Sequence, residues 1–315
     1  LTGVSRPDLL LVNDEDLAYA KVRLDPESLS FAVANIDKID APVTRRTILS
    51  AAWDMVRDAE MAATEYINMA LRAAGRETNI STFTSILQRI RYAATHYTAP
   101  SNRPGRMSEV AERLLLLART QAAGTDSQRL AVMAAAQSAT QTGQFDALGA
   151  LYDGTETLHG LDVNIDLQWD LLIALVRGGK AGPKQIDAQL HRDLTMTGEQ
   201  NAAQAKATQN SDSIRASTWE AALFDANIPN DTVWAMLDGF WAHAATEPLQ
   251  MASRLVATAF PRILSGYVPG VDVADHAQRW LDEHQDASPA LRRLIIEGQA
   301  DARRMAAAQE RDQIG

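Results

Sequence analysis

The chain opens on a pattern of period two. Ala18, Ala20, Val22 and Leu24 alternate with Tyr19, Lys21 and Arg23, as in a strand with one face buried. Ahead of them stand the apolar run at residues 9–12 and the polar run Asn13, Asp14, Glu15, Asp16. Together these predict a short β-hairpin within residues 1–24. A lone hairpin is marginal in water, so the segment reads as the tail of a sheet whose other strands are missing.

The period changes at Leu24-Asp25-Pro26-Glu27. Asp25 suits a helix N-cap, Pro26 the first helical position, and Glu27 adds a negative charge where the helix dipole favours one. Beyond it the pattern predicts about fifteen helical segments joined by short turns. Two lie within residues 43–74, with Ile48, Ala51, Ala52, Met55 and Val56 on one face, Tyr66, Ile67, Ala70 and Leu71 on another, and Gly75 as C-cap. Phe83, Ile86, Leu87 and Ile90 form a third face. Residues 99–105 read as a loop. Residues 108–123 are apolar nearly all round, which places that helix in the interior. Thr125-x-x-Gln128 and Thr197-x-x-Gln200 are capping-box patterns. Residues 153–164 are rich in loop formers; the stripe Leu167, Leu171, Leu172, Leu175, Val176 comes next, stopped by Gly178-Gly179 and restarted by Gly182-Pro183. Further helices are expected over 213–224, 230–242, 249–264 (kinked at Pro261), 272–286 and 289–311, the last opening at Ser288-Pro289.

Short helices in series favour antiparallel pairs stacked into an α-solenoid. The expected fold is therefore mainly α: a superhelix of antiparallel helix pairs over residues 25–315, preceded by a β-hairpin in residues 1–24.

Composition narrows the function. The 315 residues are 46% hydrophobic and 22% charged, with a formal net charge of −10 and no cysteine. This is a globular profile. It lacks the basic stripe a phosphate-backbone binder needs, excludes disulfides and thiolate metal sites, and suits a reducing, cytoplasmic compartment. The longest aliphatic run, Leu114 to Leu117, is far too short to span a membrane. No nucleic-acid or membrane partner is expected.

Motif-like stretches resolve into ordinary structure. His191-Arg192-Asp193-Leu194 imitates a kinase catalytic loop, but Gly198 stands where that loop needs Asn; it reads as a helix end. Asp162-x-Asn164-x-Asp166 imitates a calcium loop, but Leu167 replaces the required Gly and no Glu closes it; it reads as a helix-capping or solvated loop. The histidines at 96, 159, 191, 243, 276 and 284 include no i, i+4 pair of the kind a helical zinc site uses. No catalytic, cofactor-binding or metal-ligating residue is assigned.

Charge is spread unevenly along the chain. Between Arg129 and Arg177 there is no Lys or Arg, while Asp146, Asp153, Glu156, Asp162, Asp166 and Asp170 all lie there. Asp153, Asp162, Asp166 and Asp170 are candidate steering residues for cationic ligands; the alternative is a solvated acidic loop with capping aspartates.

Four stretches carry a family resemblance: residues 11–23 (LVNDEDLAYAKVR), 46–60 (RTILSAAWDMVRDAE), 191–200 (HRDLTMTGEQ, running on to Trp219-Glu220) and 291–298 (LRRLIIEG, with Arg303-Arg304 and Asp312 beyond). They resemble the C-terminal helical domain of the bacterial aminopeptidase N family, also found in the endoplasmic-reticulum aminopeptidases. The family's zinc motif His-Glu-x-x-His and its Gly-x-Met-Glu-Asn motif are absent, so no functional residue carries over. The resemblance implies the terminal strands of a small β-sandwich in residues 1–24, followed by a non-catalytic helical domain of a zinc aminopeptidase. Zinc would belong to the parent enzyme and no cofactor to this chain; the partners would be the catalytic domain of the same polypeptide and peptide substrates. The domain would enclose the active-site chamber and limit substrate access, and the chain alone would be inactive. The alternative is a free-standing α-solenoid scaffold binding a protein or peptide on its concave face.

Overall fold

A computed structural model describes residues 3–225 and 227–243 and, near the carboxyl end, residues 304, 307, 308 and 310–313. The helices expected over 249–264 and 272–286, and the one over 289–311 as far as residue 303, with the Pro261 kink and the Ser288-Pro289 start, lie outside the described residues. The rest is mainly helical. In order come α1 (Pro26–Asn35), α2 (Pro42–Arg57), α3 (Ala63–Ala74), α4 (Ile80–Tyr92), a π-helical turn (Ala93–Tyr97), α5 (Arg103–Thr120), α6 (Asp126–Ser138), α7 (Thr142–Tyr152), α8 (Ile165–Arg177), α9 (Pro183–Arg192), α10 (Met196–Ala207), α11 (Asp212–Phe224) and α12 (Asn230–Phe240), with short 3-10 turns at Ile36–Lys38 and Trp241–His243.

The contacts divide these residues into two compact units. The first holds the chain up to Glu77, Tyr92–Arg103 and the described carboxyl-terminal residues. Here α3 packs on α1 and α2. Ile48, Ala52, Val56, Tyr66, Ile67 and Ala70 are fully buried, which are the faces the helical spacing marked. Trp53 adds an aromatic cluster, with ring centroids 5.3 Å from Tyr66, 5.9 Å from Tyr92 and 5.7 Å from Tyr97.

The second unit holds Thr78–Arg91 and the chain from Pro104 to His243. Successive helices pack as neighbours, α7 on α8 and α9 on α10, and α10 also packs on α12, the next but one. That is the stacked-pair arrangement the short turns predict. Trp169, Leu172 and Val176 from α8 meet Ile186 from α9 and Ala202 and Ala205 from α10 in one core cluster. The α10–α12 crossing is close because Gly239 has no side chain: a Cβ there would lie 2.3 Å from the Gln204 carbonyl oxygen.

The hairpin expectation is corrected. Among the described residues there is no strand, and residues 17–25 carry no regular structure. The polar turn closes on itself instead. The Asn13 amide donates to the Ala18 carbonyl at 2.9 Å, and its side-chain oxygen accepts from the Ala18 N–H at 2.8 Å, taking groups that a partner strand would otherwise engage. Residues 21–24 are tied to helices rather than to a ladder. Val22 and Leu24 are buried, Lys21 and Arg23 pair with Asp58, and Arg23 also pairs with Glu60 at 2.7 Å.

Two smaller expectations also change. Helix α5 begins at Arg103, with Pro104 in its first turn, rather than after residue 105. It is also amphipathic rather than enclosed, since Leu116 is 60% exposed while Leu114 and Ala118 are buried.

Candidate functional site

The four candidate aspartates fall on two adjacent helices and the loop between them. Asp153 is the C-cap of α7, and Asp162 lies in the loop before α8; both are exposed. Asn164 caps α8, its side-chain oxygen accepting the Leu167 N–H at 3.1 Å, as the capping reading of residues 162–166 expects. Asp166 then sits in the first turn, exposed, where the helix dipole favours a negative charge. Asp170 comes one turn later on the same face and is half-buried. Burial pushes its carboxyl up to about 6, Arg129 opposes that shift, and Asp166 adds to it.

The remaining acids of the stretch are neutralised. Glu156 pairs with Arg119 at 3.1 Å and Asp146 with Lys180 at 2.7 Å. Asp153, Asp162, Asp166 and Asp170 make no ion pair among the described residues. Arg177, the first basic residue after the stretch, is committed elsewhere. It donates to the carbonyls of Ala136 and Ala139 at the end of α6, the latter at 3.2 Å, and lies 6.0 Å over the Phe145 ring. Burial, and then the neighbouring Arg91, lower its guanidinium to about 10. Asp162 and Asp166 thus present unneutralised charge to solvent, while Asp170 ionises only as pH rises through about 6.

The kinase-like stretch is a structural junction. Asp193 ends α9 and is 8% exposed. One carboxylate oxygen accepts the Trp169 indole N–H at 2.9 Å; the other accepts the Thr195 hydroxyl at 2.6 Å. Thr195 in turn caps α10 through the Gly198 N–H at 3.1 Å. The cap is therefore Thr195, not Thr197 as the spacing suggested.

One cavity was missed by sequence reasoning. It measures about 410 Å³ and is lined by Tyr19, Ala20, Lys21, Asp54, Arg57, Asp58 and Arg304. Its charges are largely paired: Lys21 with Asp58, and Arg57 with Asp54 at 3.7 Å. Its walls come from segments far apart in sequence, so no local pattern announces it.

The described residues do not fit a zinc ion. Among the described residues no three His, Asp or Glu side chains stand close enough to hold a metal. His191 Nδ1 meets the Asp187 carbonyl at 2.6 Å and His243 Nε2 the Thr208 carbonyl at 2.8 Å, while His96 stacks on Tyr92 with centroids 4.0 Å apart. His276 and His284 lie outside the described residues. No catalytic step is derived through a metal here. Among the described residues, no helix is long and apolar enough to cross a membrane.

Comparison with known proteins identifies the family of the chain. Aminopeptidase N of Streptomyces lividans is 32% identical over 335 aligned positions, which take in 99% of this chain but only 38% of that protein. The chain therefore spans well under half the length of the curated relative it matches and corresponds to its C-terminal portion. The profile of the ERAP1-like C-terminal domain matches residues 9–304. With nearly its whole length inside that match, the chain belongs to the ERAP1-like C-terminal domain family.

Proposed function

We propose that this chain is the non-catalytic C-terminal domain of a cytoplasmic zinc aminopeptidase that removes N-terminal residues from peptides. It would enclose the active-site chamber and limit access to it, with residues 1–24 ending a preceding domain and residues 25–315 forming the helical one. The observation that carries this reading is the match of 99% of the chain to 38% of an aminopeptidase N. The lack of a metal-holding group among the described residues is compatible with it.

The test compares the full-length protein, the same protein ending at residue 24, and residues 1–315 alone. The isolated chain is expected to hold no stoichiometric zinc and to hydrolyse no aminoacyl substrate. The truncated enzyme, if it folds, should lose its preference for short over long peptides. One tightly held zinc per isolated chain together with peptidase activity, or an unchanged length preference after truncation, would sink the proposal.

The acidic face refines the reading. Peptides reach an aminopeptidase as cations at their amino terminus, and basic peptides carry further positive charge. Asp153, Asp162, Asp166 and Asp170 would raise the local concentration of such peptides and steer their approach. Asp162→Asn with Asp166→Asn in the full-length enzyme should lower kcat/KM selectively for basic peptides. The effect should shrink as salt brings the screening length to about 10 Å at 0.1 M. The parent enzyme's own preference for basic peptides should weaken below about pH 6, because Asp170 is then protonated. Equal rates for basic and neutral peptides at every salt concentration would leave these aspartates as a solvated surface.

A further inference from the structure

Helix α3 starts without a cap of its own. Its N-cap position is Ala62, whose side chain cannot accept a hydrogen bond, and an uncovered first turn leaves backbone donors unsatisfied. The missing acceptor comes from the other end of the chain. Asp312, 5% exposed, takes the Thr64 N–H on one carboxylate oxygen at 2.9 Å. The same oxygen takes the Thr64 hydroxyl, and the other oxygen faces the Ala99 N–H at 3.4 Å. Beside it, Arg311 donates to the Ala59 carbonyl at 3.3 Å. Ala59 has a φ of 60°, a left-handed conformation that is uncommon for alanine and needs its surroundings to hold it. Ala308, one turn earlier, is fully buried.

We propose that the last described turn of the chain, residues 310–313, is a strap that caps α3 from a distance and fixes two backbone segments at once, residues 59–64 and 98–99. The physical case rests on charge as well as geometry. A carboxylate at a helix N-terminus is favoured by the dipole, and a nearly buried carboxylate is stable only when its oxygens are engaged. Asp312 meets both conditions, and its three donors come from two segments more than thirty residues apart. Releasing the strap would therefore loosen both segments together, without any change in their own sequence.

The test is amide hydrogen exchange in the full-length protein, read over residues 61–66 and 98–102. Asp312→Ala should speed exchange in both windows by roughly tenfold, the scale of one lost helix cap. Asp312→Asn, which keeps an acceptor oxygen, should do so much less. The decisive variant adds Ala62→Ser to Asp312→Ala. A serine at the N-cap position can serve the first turn of α3 locally but cannot reach Ala99, so protection should return at 61–66 and not at 98–102. The proposal is overturned if Asp312→Ala leaves both windows unchanged, if exchange rises equally throughout the protein, or if Ala62→Ser restores neither window or both.

Discussion

Replacing Gly198 with alanine is expected to destabilise the protein by about 3 kcal/mol or more, although helix propensity alone would favour alanine by about 1 kcal/mol. The position lies in the first turn of α10. A Cβ there would lie 2.1 Å from the Asp193 carbonyl oxygen and 2.6 Å from its carboxyl carbon. Neither atom is the free end of a flexible chain. Asp193 is held by Trp169 from one side and by Thr195 from the other, so making room means breaking that junction. Trp169 is 1% exposed, and its indole N–H would be left buried without an acceptor, a loss of about 1–3 kcal/mol within the total. The hydrogen bonds from Thr195, and then that from Trp169, also hold the Asp193 carboxyl below its ordinary value. That contribution is fully present above about pH 4 and is lost as pH falls through the lowered value. The gap between the parent protein and Gly198→Ala should therefore narrow in acid. Urea denaturation at neutral and acidic pH measures both effects; equal midpoints at neutral pH would refute the packing argument.

The same junction shows how far the sequence could be read. That a helix begins near residue 196 was legible, because a threonine with a hydrogen-bonding side chain three residues later is a local signal. Which threonine caps it was not. Thr195 wins over Thr197 because Asp193 holds its hydroxyl, and Asp193 is itself placed by Trp169, which lies on α8. Where the cap is purely local the reading holds. Asp25 accepts the Ser28 N–H at 3.1 Å, with Pro26 at the first position of α1; Asn164 caps α8; and Pro183 opens α9. Thr125 accepts the Gln128 N–H as a capping box requires, but Gln128 turns its oxygen to the Gly124 N–H at 2.9 Å.

The hairpin failed for a related reason. Period two marked Ala18, Ala20, Val22 and Leu24 as facing in; Val22 and Leu24 do, whereas Ala18 and Ala20 are exposed. It cannot record whether a second strand is present to complete a ladder, and Asn13 closes the turn with its own side chain instead. The acidic stretch was legible as charge. Its division into neutralised and free carboxylates was not, because Arg119 and Lys180, which neutralise Glu156 and Asp146, lie outside it. The C-terminal strap left a sequence trace only in the family resemblance at Asp312. Its partner Thr64 stands 248 residues away, and no periodicity links such positions.

Distance in sequence also conceals a nearly inaccessible ion pair, and it sets the second large effect. Arg45 and Glu77 approach to 3.6 Å, with side chains 4% and 1% exposed. Arg45 also donates to the carbonyls of Ile39 at 2.8 Å, Asp40 at 2.9 Å and Arg76 at 3.4 Å. Its charge thus ties the segment entering α2 to the segment leaving α3. Arginine near the start of a helix is opposed by the dipole, so its place in α2 depends on these acceptors and on Glu77. Glu77→Ala is expected to destabilise by about 3–5 kcal/mol, because it leaves a buried guanidinium without its counter-charge. The three carbonyl bonds put the effect toward the lower end of that range. The sharper expectation is a reversal. Arg45→Met combined with Glu77→Leu removes both charges and fills similar volume, so the double variant should be more stable than Glu77→Ala alone. Denaturant unfolding of the two variants and the parent protein decides the matter. A double variant as unstable as Glu77→Ala would mean that hydrogen bonding from Arg45 to the backbone, rather than burial of an unpaired charge, governs this corner of the fold.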